Sequence, residues 1–249
     1  MNKQKIAKIA SVLLALVLWQ LIAMKVNMEM LLASPVQALA RLWEVIREPG
    51  FLSRVAFSFG RITLGFLLSF AFGIFFAILA GRFPIVETLL WPYVVTIRTV
   101  PVASFIILCL IWLDYTQLTV LIAFLIAFPM IYSNVLTGIK STDPKMKEMA
   151  KLYKMPWGKQ LLYIYLPSVK PYILSAAAVA IGMAWKAGVA AEVIGIVNGS
   201  IGEMLYESKV YFMNADLLCW TVVIILVNVL TEKLILFLLK AVFKGVEKL

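Results

Sequence analysis

Three ionisable residues sit inside apolar runs: Arg98 in VVTIRTVP, Lys186 in GMAWKAG and Glu192 in VAAEVIG. A charge in hydrocarbon is costly, so such side chains face a bundle interior or a water-filled cavity. On that reasoning Arg98 and Lys186 line a route that favours an anion, and Glu192 stands near a gate. A second reading of Arg98 has it donating to carbonyls freed by the chain break at Pro101. Lys186 and Glu192 are six positions apart, about 240° round an ideal helix, so they do not pair on one face. Glu232 and Lys233, adjacent near the last apolar run, are read as an interfacial or interhelical pair.

Other chemistry is excluded by what the chain lacks. It has no histidine, and its two cysteines, Cys109 and Cys219, lie in apolar stretches. A histidine-based triad, a Cys/His zinc site and a disulfide framework are therefore not expected. The nearest approach to a phosphate-binding loop, Gly158-Lys159, is followed by Gln160 and lacks the upstream glycine, so the chain does not bind ATP in that way. The expectation is a non-catalytic chain with no metal and no cofactor of its own.

The elements that must position these charges are transmembrane helices. Of 249 residues, 63% are hydrophobic and 14% charged, against about 45–50% and about 25% in soluble domains. Apolar windows at 6 to 24, 58 to 80, 85 to 112, 117 to 138, 168 to 197 and 215 to 239 predict six spans of about 20 residues in one membrane domain covering 1–249. The first window is longer than a signal-peptide core and has no prompt cleavage site, so it is read as an uncleaved span.

The net charge of +10 follows topology rather than nucleic-acid binding. With the N-terminus inside, Lys3, Lys5, Lys8, Arg82, Lys140, Lys145, Lys147, Lys151, Lys154, Lys159, Lys240, Lys244 and Lys248 fall on the inner side. Only Lys25, Arg41, Arg47, Arg54 and Lys209 fall on the outer side. Both termini are thus expected in the cytoplasm. Between the first two spans, Val36, Leu39, Leu42, Trp43 and Ile46 recur at helical spacing opposite Arg41, Glu44 and Arg47, which predicts an interfacial amphipathic helix. Small residues, Ser58, Gly60, Gly65, Ser69, Gly73 and Ala77, run along the second span and AAAVAIGMA along the fifth, as close helix packing in lipid requires. Asn198, Gly199 and Gly202 break the chain after the fifth span. The polar ESKVYFMNAD that follows is expected at the outer face, either as a surface for a partner or as a plain connection.

The longest inner segment, 139–167, contains EMAKLYKMPWGKQLLYIYLP. Met146, Met149, Leu152 and Tyr153 recur at helical spacing while Lys145, Lys147, Lys151 and Lys154 point elsewhere. Ser141 to Asp143 supply a cap, Pro144 starts the helix and Pro156 ends it at Met155. Such a helix either docks on a protein or lies flat on anionic lipid.

This stretch resembles the EAA motif of type I ABC importer permeases: Glu-Ala-Ala, three residues, Gly, nine residues, Ile, one residue, Leu-Pro. Here the spacing is intact through Glu148, Met149, Ala150, Lys154, Ile164 and Leu166-Pro167, with Met149 replacing an alanine and Lys154 the glycine. SPVQALARLWEVI, IRTVPVASFIILCLIWL and GMAWKAGVAAEVIG resemble the nitrate, sulfonate and taurine subgroup of these permeases.

The resemblance implies a bacterial or archaeal inner-membrane subunit that pairs with a second permease, expected to be identical, to move a small, anionic solute by ATP-driven alternating access. ATP and Mg would be bound by cytoplasmic ATPase subunits, and an extracytoplasmic binding protein would deliver the solute. Residues 148 to 157 would be the coupling helix and turn between the fourth and fifth spans. Met149, Leu152, Met155 and Trp157 would be its apolar knobs, Glu148 a polar anchor, and Ala150 and Tyr153 part of the docking surface. Lys186 stands where the family is usually apolar. Two rivals remain at this stage: an ion-driven carrier centred on Glu192, and a membrane scaffold that recruits proteins through 139–167.

Overall fold

A backbone in lipid must close its N–H and C=O groups internally, and apolar runs do so as helices. The computed structural model describes residues 3–26, 28 and 32–246, and every regular element among them is helical. In chain order these are α1 (Lys3–Val26), α2 (Pro35–Val45), α3 (Phe51–Arg82), α4 (Pro84–Thr99), α5 (Val102–Cys109), α6 (Tyr115–Lys140) and α7 (Pro144–Leu152). They continue with α8 (Trp157–Gln160), a π-helical turn (Leu161–Tyr165), α9 (Leu166–Gly195), α10 (Ile201–Val210) and α11 (Asn214–Val246). Lys248, counted above on the inner side, lies outside the described residues.

Among the described residues four helices are long and apolar enough to cross a membrane: α3, α6, the continuous stretch Trp157–Gly195 and α11. The single window expected at 85 to 112 is instead two helices, α4 and α5, bent by 101° to one another. Pro101 carries no N–H to continue α4, and Val100 before it is extended (φ −73°, ψ 131°). The pair makes a fifth span if taken as one. In α1 the apolar run that begins at Ile6 continues to Met24, and its Leu14, Val17 and Leu21 are exposed.

The frame of the molecule is α3 lying parallel to α6. Gly65, Gly73 and Gly81 recur at eight-residue intervals along α3 and meet α6 at successive heights. A Cβ on Gly65 would collide with the Val120 carbonyl oxygen, one on Gly73 would stand 2.8 Å from Ile131, and one on Gly81 2.7 Å from Ile139. The close approach lets Ser69 Oγ donate across the interface to the Phe124 carbonyl at 2.9 Å. Gly60 belongs to the same sequence stripe but faces away, with nothing within 4 Å of its Cβ position.

Antiparallel to both runs α9. Its Gly188 meets Ile62, its Gly195 meets Leu118, and Tyr172 meets Gly138 of α6. Of the small residues expected on this span, Ala176, Ala177, Ala180 and Ala184 are buried, with Ile181 and Trp185, while Ala178 and Gly182 are half-buried. α11 completes the bundle, Lys170 of α9 lying 5.9 Å from the Phe243 ring.

Side-chain contacts sort the bundle into two ends. At the first, α2 is tied down by Arg41, which pairs with Glu44 and Glu48, both at 2.9 Å, and with Asp216 at the start of α11. Asp216 holds the Arg41 guanidinium above its ordinary range, so it stays charged at any working pH. As expected, α2 is amphipathic: a capping box joins Ser34 and Gln37, Ala38 and Val45 are buried, and Val36, Leu39, Trp43 and Ile46 form an exposed apolar face. At the second end, Lys140 of α6 grips both carboxylate oxygens of Glu87 on α4, at 2.6 and 2.7 Å.

Overpacking at the α3–α6 contact costs about 1–3 kcal/mol. Gly65→Val is expected to lower the thermal unfolding midpoint of the detergent-solubilised chain by that equivalent, whereas Gly60→Ala leaves it unchanged or slightly raised.

Candidate functional site

The second end carries the Lys-rich arm. Asp143 caps α7 by accepting the Lys145 N–H at 2.9 Å, and Pro144 takes the first helical position, where its missing N–H costs nothing. The helix stops at Leu152, earlier than the Met155 expected from Pro156. Its end is a Schellman turn: Met155 N donates to the Ala150 carbonyl at 2.9 Å, and Lys154 takes the left-handed conformation (φ 48°). A lysine thus occupies, in left-handed geometry, the position where the EAA pattern has glycine.

Beyond this turn the chain is clamped. Trp157 packs against Tyr165 with ring centroids 5.5 Å apart, the Arg82 guanidinium stands 4.5 Å from the Trp157 ring, and Gln160 Nε2 donates to the Met155 carbonyl at 2.7 Å. Pro167 has no N–H for the Tyr163 carbonyl, and its ring would press on that carbonyl in a regular helix. The π turn just before it, in which Leu166 N reaches back to the Leu161 carbonyl, widens the chain there.

Of the seven residues expected on the docking surface, Glu148, Met149, Leu152 and Tyr153 are exposed, the last two at 79% and 75%. Met155 and Trp157 are half-buried against their own chain, and Ala150 is buried at 1%. The arm therefore exposes Met149, Leu152 and Tyr153 with a single carboxylate, Glu148, among lysines.

The intramembrane charges do not converge. Lys186 is exposed on the outer side of α9 and makes no ion pair or hydrogen bond among the described residues. Glu192, six residues on, is fully buried near the first end, so the two are not partners. Arg98 Nη2 donates to a backbone carbonyl at 3.0 Å, but the carbonyl is that of Pro129 on α6 rather than one at the Pro101 break. Glu232 is half-buried and Lys233 exposed, with no ion pair between them.

Glu192 is the hub of a buried knot. Its Oε2 accepts from Ser58 Oγ at 2.8 Å and from Gly202 N at 3.3 Å, while Ser58 Oγ accepts from Ile201 N at 2.9 Å. Carboxylate and serine together hold the first N–H groups of α10, where the helix dipole favours a negative charge. A Cβ at Gly202 would overlap Glu192, so glycine is required at that contact. Ser58 had no sequence signal beyond its small size. Its partner lies 134 residues away.

The chain matches the model of the binding-protein-dependent transport system inner membrane component over residues 69–247. It belongs to that family, as an ABC importer permease of the nitrate, sulfonate and taurine subgroup. It is 28% identical over 229 residues to the putative aliphatic sulfonates transport permease protein SsuC of Bacillus subtilis, covering 91% of this chain and 83% of that protein. The nitrate import permease protein NrtB of Leptolyngbya laminosa is 25% identical over 241 residues, covering 93% and 85%. The taurine transport system permease protein TauC of Escherichia coli is 26% identical over 239 residues, covering 93% and 86%.

A left-handed conformation costs a residue with a Cβ roughly 1–2 kcal/mol. Lys154→Gly is expected to raise the thermal unfolding midpoint by the equivalent of about 1 kcal/mol, and Lys154→Val to lower it.

Proposed function

We propose that this chain is the membrane-embedded half of an importer that moves a small anionic solute by alternating access, driven by ATP hydrolysis in a separate subunit. The observation that carries the reading is the α7 arm. It is a rigid, capped helix with exposed Glu148, Met149, Leu152 and Tyr153, clamped at its base to α3 and, through the π turn, to α9. A body of that kind transmits the closure of a cytoplasmic ATPase to the spans. Mg and ATP belong to that ATPase.

In this reading α1 and the α4–α5 pair complete six spans, and both termini and α7 face the cytoplasm. The chain works with a second copy of itself, because one such bundle does not enclose a gated route, and it receives solute from an extracytoplasmic binding protein. The anionic class is supported by the unpaired Lys186 on the exposed face of α9, by Arg98, and by relatives named for sulfonates, nitrate and taurine. Glu192 acts on a gate through its hold on α10 rather than by touching solute. Its engagement by Ser58 and Gly202 also counts against an ion-coupled carrier centred on it.

The chain extracted in mild detergent is expected to bring with it a P-loop ATPase in stoichiometric amount, seen by mass spectrometry. In the reconstituted complex, Glu148→Arg is expected to cut transport at least tenfold and abolish its coupling to ATP hydrolysis, with the chain still inserted. Unchanged transport would remove the docking assignment. Lys186→Leu is expected to change the KM for solute or the preference among anions, with subunit assembly intact. If neither moves in competition uptake assays, the lysine has no place on the route.

A further inference from the structure

A cleft of about 250 Å³ opens between α4 and α6, apart from the arm and the Glu192 knot. Trp91 and Val94 of α4 form one wall, Tyr132 and Ser133 of α6 the other. The Glu87–Lys140 ion pair bridges the two helices at the second end of the bundle. Arg98 lines the cleft eleven residues beyond Glu87, about 16 Å along α4.

Two features of this cleft are unsatisfied. Glu87 and Lys140 neutralise one another, but Arg98 forms no ion pair among the described residues, which leaves the cleft with one uncompensated positive charge. A guanidinium carries five N–H donors, and only one terminal nitrogen of Arg98 is engaged, on the Pro129 carbonyl. Tyr132 is 4% exposed, and its hydroxyl is buried with no hydrogen-bond partner among the described residues. Its ring is held by stacking on Phe128, centroids 6.0 Å apart. A buried hydroxyl without a partner is uncommon in folded proteins, and Tyr132 is the one of seven such buried side-chain groups among the described residues that lines this cleft.

We infer that the cleft between α4 and α6 is a subsite for a small, singly charged oxyanion, held by the free fork of Arg98 and the hydroxyl of Tyr132. The guanidinium fork matches two oxygens of a nitrate, bicarbonate or sulfonate group. Trp91 and Val94 offer an apolar wall for a short organic tail. The volume lies below the roughly 300–1,000 Å³ of pockets for drug-sized ligands, which suits a small solute. This inference rests on the reading of the chain as a permease for an anionic solute and adds the place where the anion pauses. The Glu87–Lys140 pair stands between that place and the second end.

The test uses the purified permease–ATPase complex without binding protein. Thermal unfolding is followed in nitrate, bicarbonate, methanesulfonate and, as a size control, gluconate, with chloride fixing the ionic strength. At least one of the three small anions is expected to raise the unfolding midpoint in a saturable way, and gluconate is not. Arg98→Gln should weaken the apparent affinity at least tenfold, Tyr132→Phe severalfold, and Arg98→Lys should recover part of the loss. Two results overturn the subsite: no small anion shifts the wild-type complex, or Arg98→Gln lowers the basal midpoint yet keeps the full anion shift, as a mere carbonyl partner would. Should Arg98→Gln fail to fold, Tyr132→Phe and Trp91→Ala decide in the same assay. The permease reading fails separately, by absence of an ATPase from the preparation, and the anion shift is then measured on the chain alone.

Discussion

Helices in lipid gain little from burying apolar side chains against one another, because the tails around them are equally apolar. What holds this bundle together is therefore how closely its backbones approach, and the closest approach is that of α3 to α6. Three glycines at eight-residue intervals admit Ala123, Ile131 and Ile139 into contact that any Cβ would block. Serine adds a hydrogen bond across the same seam. Every later element takes its place from this pair: α9 packs in antiparallel fashion onto both, α11 onto α9, and the arm hangs between the lower ends of α6 and α9.

The helices were legible because apolar runs of span length have little else to become. The seam was legible in part: Gly65, Ser69 and Gly73 read correctly as packing residues, while Gly60 does not face α6. The bend at Pro101 is a matter of degree that a window of hydropathy cannot measure. α7 ended early because its stop comes from the backbone of Lys154, and a lysine in left-handed geometry has no signal in composition. Arg98 and Glu192 show the larger gap. Their partners, Pro129 and Ser58, lie 31 and 134 residues away, and nothing local announces a contact made only after the bundle has closed.

The charges fall into three physical situations. Arg41 and Lys140 are paired and tie helices together at the two ends. Glu192 is buried and serves as an acceptor for a helix start, so its charge is spent on architecture. Lys186 and the free fork of Arg98 meet no carboxylate among the described residues, and a cation so placed among apolar helices is costly unless water or another charge reaches it.

The corner between α9 and α10 brings strain and restraint within ten residues. Ile196 is held left-handed (φ 47°, ψ 57°), a conformation a β-branched side chain resists, at a cost of roughly 1–2 kcal/mol. The hydrogen bonds that keep it there, Val197 N to the Glu192 carbonyl and Ser58 and Gly202 to the Glu192 carboxylate, are worth about 1 kcal/mol each or somewhat more where charged, and together they exceed that cost. Strain outweighed by the bonds around it makes a preloaded corner, held only as long as those bonds are held. The seam between α3 and α6 behaves as a stiff beam, and this corner as a latch at its end, closed by Ser58 and Gly202 on Glu192.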